Sequence, residues 1–215
     1  MTVMEHLQAL AGGIGTTVTL TLAAFGVGAV AGFPLALARR SSQWWLRLPA
    51  LAVIEVLRAI PPLVWLFIVF YVIGADFPLM TPFQAAVAGL GLIAAAYLAE
   101  IYRAGLDAVP DGQWEAASAT GIGTLTTYRK VVLPQAALIV VPPAATYLIA
   151  LLKDSAVASV VGTTDITFLA FQEARVTLEG FEVFVIAAAL YLALSAPVAL
   201  VARTADRLIS RRLGL

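Results

Sequence analysis

The sequence predicts an all-helical membrane protein with five transmembrane helices, and three observations support that class. Of its 215 residues, 61% are hydrophobic and 12% are charged, whereas a soluble domain carries about 25% charged residues. Apolar runs close to the roughly 20 residues that cross a bilayer recur along the chain. Arginines and lysines cluster on one side of these runs, as they do at a cytoplasmic membrane face. We therefore expect one membrane domain over residues 1–215.

The expected spans alternate with polar connections. They cover residues 14–38, 52–74, 83–105, 134–152 and 183–202, with a polar loop at residues 107–133. The first span is expected to stay in the protein, because no lysine or arginine precedes Arg39 and a signal peptide has a basic start. The lone histidine, His6, is expected at the surface rather than as a ligand.

Two glycines of the first span indicate close helix packing. Gly28 and Gly32 form a small-xxx-small pair, which lets another helix approach closely. We expect that helix to belong to the same chain rather than to a dimer partner.

A basic and aromatic segment follows the first span. It contains Arg39, Arg40, Trp44, Trp45 and Arg47. Tryptophan anchors at the membrane interface and arginine marks the cytoplasmic side, so this segment predicts a cytoplasmic membrane edge.

The second span begins with two opposite charges. Glu55 and Arg58 are three residues apart and share a helix face, which predicts an ion pair. Pro61 and Pro62 are expected to kink or restart the helix. The short loop that follows, residues 76–82, has no lysine or arginine and is expected on the outer face.

The third span ends in charged residues near the inner membrane edge. Arg103 lies at pairing distance in sequence from both Glu100 and Asp107. Charges in membrane helices face protein or water rather than lipid. Two interpretations stay open: a structural ion pair, or a pair that orients the loop after it.

The polar loop predicts two short helices. Asp111 is expected to cap the first and Thr124 the second, because their side chains accept hydrogen bonds from unpaired backbone donors. Gly121 suits a left-handed residue that ends the first helix. Pro134 fits the first turn of the next membrane helix, where its missing donor costs nothing.

The fourth span carries Pro142 and Pro143, which predict a kink inside a bundle or beside a cavity. Lys153 and Asp154 at its outer end form either an interface ion pair or part of an outer gate. The stretch from 154 to 182 is acidic, and residues 168–171 predict a short helix on the membrane surface.

The positive charges predict the orientation. Lys153 and Arg175 lie on one side of the spans. The other side holds Arg39, Arg40, Arg47, Arg58, Arg103, Arg129, Lys130, Arg203, Arg207, Arg211 and Arg212. This bias predicts a cytoplasmic polar loop and C-terminus, and an N-terminus outside.

The polar loop resembles the EAA loop of permease subunits of ATP-binding-cassette (ABC) importers. That pattern is Glu-Ala-Ala, three residues, Gly, nine residues, Ile, one residue, Leu-Pro. Val131 departs from it by replacing the isoleucine, and keeps a β-branched apolar side chain. The matching residues are Glu115, Ala116, Ala117, Gly121, Leu133 and Pro134. Tyr128 between them is a plausible aromatic anchor for a partner.

Other segments resemble the polar amino-acid branch of type I importers, which includes histidine-, glutamine- and arginine-type permeases. Residues 55–67 are similar to a family segment, with Ala59 in place of glycine and Trp65 in place of glutamine. Residues 96–105 and 151–155 are also similar, while Thr146 stands where many relatives carry asparagine. The resemblance implies that Trp65, Thr146, Lys153 and Asp154 are candidate pathway or gate residues.

The resemblance also implies partners. In that family a permease works with a second permease, ATPase subunits that hold ATP and Mg²⁺, and an extracytoplasmic binding protein that delivers an amino acid. The membrane is the bacterial plasma membrane. The identity of the amino acid, and whether the second permease is an identical copy, stay open.

Missing features exclude other functions. The lysines are Lys130 and Lys153, and no phosphate-binding Gly-x-x-x-x-Gly-Lys-Ser/Thr run exists, so we expect ATP hydrolysis on another chain. One histidine and no cysteine exclude common catalytic and metal constellations, so no enzyme is expected. A formal net charge of +0 indicates no nucleic-acid partner. The alternative function is a channel or passive membrane scaffold without ATP coupling.

Overall fold

The computed structural model describes residues 2–74 and 80–213, and the side chains of Ala205 and of residues 208–213 lie outside the described part. Residues 76–79 of the predicted outer loop, and the side chains of Arg211 and Arg212, are therefore outside the described residues.

The described residues fold into helices joined by short connections, which confirms the all-helical class. The α-helices are α1 (Val3–Ala11), α2 (Ile14–Arg40), α3 (Trp44–Ala59), α4 (Pro62–Phe67), α5 (Pro82–Asp107), α6 (Asp111–Ala119), α7 (Thr124–Thr127), α8 (Leu133–Asp154), α9 (Ile166–Thr177) and α10 (Gly180–Leu213). Wider π-helical turns extend α4 over Ile68–Ile73 and join α7 to α8 over Tyr128–Val132, and a 3₁₀-helix follows α8 over Ser155–Val161.

Four stretches of the described chain are long and apolar enough to cross a membrane, and a fifth exists if the bent pair of α3 and α4 is one span. That pair bends by 101°. The bend follows from the two prolines, because a residue before proline avoids the helical region. Ile60 and Pro61 are both extended, with ψ of 131° and 143°. The second predicted segment is therefore two helices, and the first of them begins earlier than expected, at Trp44.

Helices α2 and α5 form the most extensive helix pair of the bundle. A Cβ at Gly28 would overlap Ala94, and a Cβ at Gly32 would lie 2.7 Å from the carbonyl oxygen of Ala95. Both glycines are buried. The small pair predicted from sequence thus serves packing inside this chain, as expected, because only a hydrogen in place of a side chain admits the backbone of α5.

The largest apolar cluster lies where α2, α4, α5, α8 and the 3₁₀-helix meet. Leu20, Leu66, Leu90 and Leu151 are almost fully buried in it. Dispersion contacts and apolar burial at this point hold four otherwise separate helices together. By contrast, α10 is largely uncovered within this chain.

The expectation that His6 lies at the surface is wrong, since its side chain is fully buried between α1 and α9. Its Nδ1 lies 2.9 Å from Glu173, and its Nε2 lies 2.9 Å from Glu179. These acidic residues are distant from His6 in sequence, so no local sequence pattern predicts the contact. The imidazole joins the first helix to the end of α9 and the turn after it.

A second buried polar group lies at the start of α9. Asp165 is fully buried, caps α9 by accepting the backbone N–H of Phe168 at 2.8 Å, and accepts the Tyr191 hydroxyl at 3.2 Å. The Ile166 N–H donates to the Thr17 hydroxyl at 3.2 Å. The helix predicted around residues 168–171 is thus α9, and its start is bound to α2 and α10.

Candidate functional site

The polar loop forms two short helices, as predicted, but its caps differ from the expectation. Helix α6 is preceded by Pro110 and α7 by Gly123, and neither start has a side-chain cap. Asp111 and Thr124 are the first helical residues instead. Pro110 already sets the extended backbone that a cap position requires. The Asp111 carboxylate still interacts favourably with the positive end of the α6 dipole, because it lies in the first turn of that helix.

Gly121 ends α6 in the left-handed region, with φ of +73°, as predicted. Its N–H donates to the Ser118 carbonyl at 3.1 Å, and the Ile122 N–H donates to the Ala117 carbonyl at 3.0 Å. This bond pair is a Schellman ending, which satisfies the last carbonyls of a helix. Because the positive φ is disfavoured for any residue with a side chain, Gly121 sets the angle between the two loop helices.

The small residues of the EAA run face in different directions. Ala117 is buried against its own chain, whereas Glu115 and Ala116 are exposed. Two exposed apolar side chains near the turn were not predicted from the sequence: Leu125, with 72% of its surface exposed, and Ile122. The sequence does contain a signal for their exposure, because both are apolar residues in a polar segment that contains two glycines.

Tyr128 packs against its own loop. Its ring makes an edge contact with Trp114 at a centroid distance of 4.7 Å. Both rings cover an apolar cluster to which Leu133 also belongs, built around Leu106, Val109, Val132 and Ala136. The Tyr128 hydroxyl accepts a hydrogen bond from Arg40 at 3.2 Å. The partner Trp114, which sequence analysis did not single out, thus holds Tyr128 toward the membrane domain.

The second loop helix continues into the fourth span without a break, so that Thr124–Val161 forms one long helix. Pro134 lies in the first turn of α8, as predicted, but this turn continues the preceding helix and therefore lies inside the long helix. In a regular α-helix its ring would clash with the carbonyl four residues earlier. The π-helical turn Tyr128–Val132 widens the helix just before the proline and removes that clash. A movement of α7 consequently reaches α8 through continuous backbone.

An ionic network joins the C-terminal ends of α2 and α5. The predicted pair of Arg103 and Glu100 is present at 2.8 Å, and Arg103 also contacts Asp107 at 2.9 Å. The sequence did not predict that α2 takes part. Arg40 contacts Asp107 at 2.6 Å, and Arg39 approaches Glu100 at 3.7 Å.

The same network borders a cavity of about 400 Å³ between α5, α8 and the end of α3. Its charged and aromatic walls are Arg58, Tyr97, Glu100 and Arg103. The Arg58 guanidinium lies 5.0 Å above the Tyr97 ring, a cation–π geometry. The predicted pair of Arg58 and Glu55 is present as a long contact of 3.8 Å.

The other pathway candidates lie outside the walls of this cavity. The Trp65 Nε1 donates to the Leu57 carbonyl at 3.2 Å, and the Thr146 hydroxyl donates to the Pro142 carbonyl at 3.0 Å. Lys153 and Asp154 are both exposed, and no ion pair joins them in the part of the chain that the structure describes. Tyr147, which was also not predicted from the sequence, stacks on Tyr97 at a centroid distance of 5.0 Å.

Among the described residues, His6, Glu179 and Glu182 have ligand atoms close enough to hold a metal ion. Both nitrogens of His6 are already within hydrogen-bond distance of carboxylates. This cluster is explained by its structural role in fastening α1.

A bundle of membrane-length helices with a two-helix polar loop continuous with one span defines a transport subunit rather than an enzyme. Residues 24–213 match the family described as binding-protein-dependent transport system inner membrane component. The chain belongs to that family.

Relatives agree in sequence and in structure. The octopine transport system permease protein OccM of Rhizobium radiobacter is 37% identical over 201 residues, which cover 89% of this chain and 82% of that protein. The L-cystine transport system permease protein TcyB of Bacillus subtilis (strain 168) is 39% identical over 150 residues, which cover 70% and 64%. A chain in the crystal structure of an amino acid ABC transporter with histidines superposes with a TM-score of 0.86, at 34% identity and 95% coverage of both chains.

Proposed function

We propose that this chain is the permease subunit of an ABC importer that carries a polar amino acid across the bacterial plasma membrane. Separate ATPase subunits bind ATP and Mg²⁺, a second permease completes the membrane pathway, and an extracytoplasmic binding protein delivers the substrate. Relatives named for octopine, L-cystine and amino acids support this substrate class.

The observation that carries the proposal is the polar loop. Its two helices meet at the left-handed Gly121, and the second helix is continuous with the fourth span. A channel or passive scaffold needs no such element. The exposed Leu125 and Ile122 suit a surface that docks on the ATPase, as do the exposed Glu115 and Ala116, because apolar side chains exposed on a polar loop can serve as interaction sites.

The orientation in this proposal places the loop in the cytoplasm and α1 and α9 outside. Arg39 and Arg40 end α2, and Arg103 lies near the end of α5, on the side where the loop begins. The positive-inside bias supports this side as cytoplasmic. The spans are then α2, the bent pair of α3 and α4, α5, α8 and α10.

The cavity beside α5 and α8 is the proposed contact site for the amino acid during its passage. A zwitterion carries a carboxylate and an ammonium group, and the cavity offers Arg58 for the first and Glu100 for the second. Charge-assisted hydrogen bonds of this kind select polar ligands. The proposed pathway continues toward an outer gate, to which we assign Thr146 and the exposed Lys153 and Asp154. Trp65 has a different role, because its hydrogen bond to Leu57 spans the break between α3 and α4.

Reconstitution of the complete complex tests the function. Proteoliposomes that contain this permease, its ATPase subunits and its binding protein should accumulate a radiolabelled amino acid only with internal ATP, and unlabelled competitors would identify the substrate. Omitting ATP, or omitting the ATPase subunits, is the control. Equal equilibration of the label without ATP would support the channel alternative instead.

A further inference from the structure

We propose that Arg40 is a positioning residue that transmits movement of the polar loop to the wall of the cavity, through Asp107 and Arg103. This inference rests on the proposed function, because it assigns the route by which a motor that moves the loop reaches the transport pathway. The route is a chain of side-chain contacts that begins at Tyr128 and ends at Glu100.

The first link fastens the loop to α2. Arg40 donates through one terminal nitrogen to the Tyr128 hydroxyl at 3.2 Å. The Tyr128 ring is held by the loop, because it makes an edge contact with Trp114 of α6 and packs against the apolar cluster that contains Val132. A displacement of α6 and α7 therefore acts directly on Arg40.

The second link is the Asp107 carboxylate, which uses both of its oxygens. One oxygen accepts from Nε of Arg40 at 2.6 Å, and the other accepts from a terminal nitrogen of Arg103 at 2.9 Å. A planar carboxylate held on both sides couples the orientations of the two guanidinium groups. Arg40 belongs to α2 and Arg103 to α5, so Asp107 connects two spans as well as two side chains.

The third link enters the cavity. Nε and a terminal nitrogen of Arg103 lie 2.9 Å and 2.8 Å from the same oxygen of Glu100, and both residues line the cavity beside Tyr97. Arg103 therefore divides its donors between the loop side, at Asp107, and the substrate side, at Glu100. Loss of the Asp107 contact frees Arg103 to change its position in the cavity wall.

An alternative partner for Glu100 is already in place. Its second carboxylate oxygen and the Nε of Arg39 are both buried, lie 3.7 Å apart, and have no hydrogen-bond partner among the described residues. Buried polar atoms without partners are uncommon, and a shift of roughly 1 Å brings this pair to hydrogen-bond distance. In the proposed transmission Glu100 is held by Arg103 in one arrangement and is drawn toward Arg39 in the other, and an element with two arrangements can couple two sites.

Coupling in the reconstituted complex tests this assignment. Arg40→Gln should lower the amount of amino acid transported per ATP hydrolysed at least fivefold, the lower end of typical coupling between sites. Arg40→Lys keeps the charge but cannot reach both partners with a fork of donors, so it should restore part of the ratio. The matched control is Arg47→Gln, because Arg47 is exposed on the same membrane edge and forms no ion pair among the described residues.

Two further measurements keep the test decisive. Tyr128→Phe removes one oxygen and keeps the ring contact with Trp114, so it should lower the same ratio even if Arg40→Gln fails to assemble. The double variant Arg40→Gln with Asp107→Asn should be no worse than Arg40→Gln alone, because both substitutions interrupt the same serial route. An unchanged ratio in Arg40→Gln and Tyr128→Phe overturns the proposal, whereas a wild-type complex without ATP-driven uptake overturns the proposed function itself.

Discussion

His6 Nδ1 and a carboxylate oxygen of Glu173 lie 2.9 Å apart, and this contact joins the first helix to the ninth across 167 residues of chain. The imidazole has a second carboxylate, Glu179, 2.9 Å from its other nitrogen. A buried ring with an acceptor on each nitrogen is satisfied as a donor on both sides, which fits the charged form.

Replacing His6 by leucine should therefore loosen the attachment of α1 to α9 and to the turn after it. The substitution keeps a similar volume but leaves Glu173, which is mostly buried, without a donor. We expect the midpoint of thermal unfolding in detergent to fall by a few degrees. Gln8→Leu is the control, because Gln8 is exposed on the same helix. Equal midpoints for the two variants would contradict a fastening role for His6.

The buried carboxyl of Asp165 predicts a pH dependence of stability. Burial raises its pKa from the ordinary value of 3.8 to about 6, against the lowering effect of hydrogen bonds from Phe168 and Tyr191. Between about pH 4 and pH 6, the folded state therefore keeps a proton on the Asp165 carboxyl that the unfolded chain releases. Stability contributed by Asp165 is full below about pH 4 and is lost as the pH rises through about 6.

The measurement is thermal unfolding of the wild type and of Asp165→Asn at pH 7 and pH 5. The wild type should gain stability at pH 5 relative to the variant, by roughly 1 kcal/mol, because pH 5 lies about one unit below the folded-state pKa of about 6. The variant carries no ionisable group at this position. Parallel pH profiles for the two proteins would contradict this assignment.

Gly121→Val should abolish uptake while the chain still inserts and assembles. A β-branched residue is strongly disfavoured at the positive φ of this position, so the Schellman ending of α6 should be lost. The control is Gly123→Val, because Gly123 has a φ of −64° and open space around a new Cβ. Normal transport and normal stimulation of the ATPase by Gly121→Val would show that the turn does not transmit the motor's movement.

Gly28→Val should disrupt the packing of α2 on α5. The new side chain would overlap Ala94, and overpacking of this kind costs about 1–3 kcal/mol. Gly26→Val is the matched control, since a Cβ at Gly26 meets no atom within 4 Å. The yield of folded protein and the unfolding midpoint in detergent distinguish the two variants. Equal values would show that α5 shifts to accommodate the new side chain without loss of stability.

The proposed orientation predicts the sidedness of single cysteines. The chain has no cysteine of its own, so each variant carries one thiol. Ser118→Cys, on the exposed side of α6, should react with a membrane-impermeant maleimide only after permeabilisation of the cells. Val176→Cys, at a position 82% exposed in α9, should react in intact cells. The opposite labelling pattern would invert the topology.

Local sequence determined several features by itself. Gly121 is left-handed because glycine alone takes positive φ without cost, and the break after Ala59 follows from two consecutive prolines. The ion pair of Glu100 and Arg103 follows from their spacing on one helix. The all-helical class follows from composition and apolar length, since backbone groups in a bilayer must be satisfied within each span. Each of these effects acts over a few neighbouring residues.

Tertiary structure decided the contacts between distant segments. Arg40 and Asp107 are 67 residues apart, and nothing in the spacing of either residue indicates their bond. The ring of Trp114 packs against Tyr128 and holds it toward the membrane domain. The histidine that was expected at the surface is buried, within hydrogen-bond distance of Glu173 and Glu179. Because α7 is continuous with α8, Pro134 lies inside a helix. The physical reason is common to all of them. Helix periodicity specifies which residues share a face, but only packing of the whole bundle decides which faces meet.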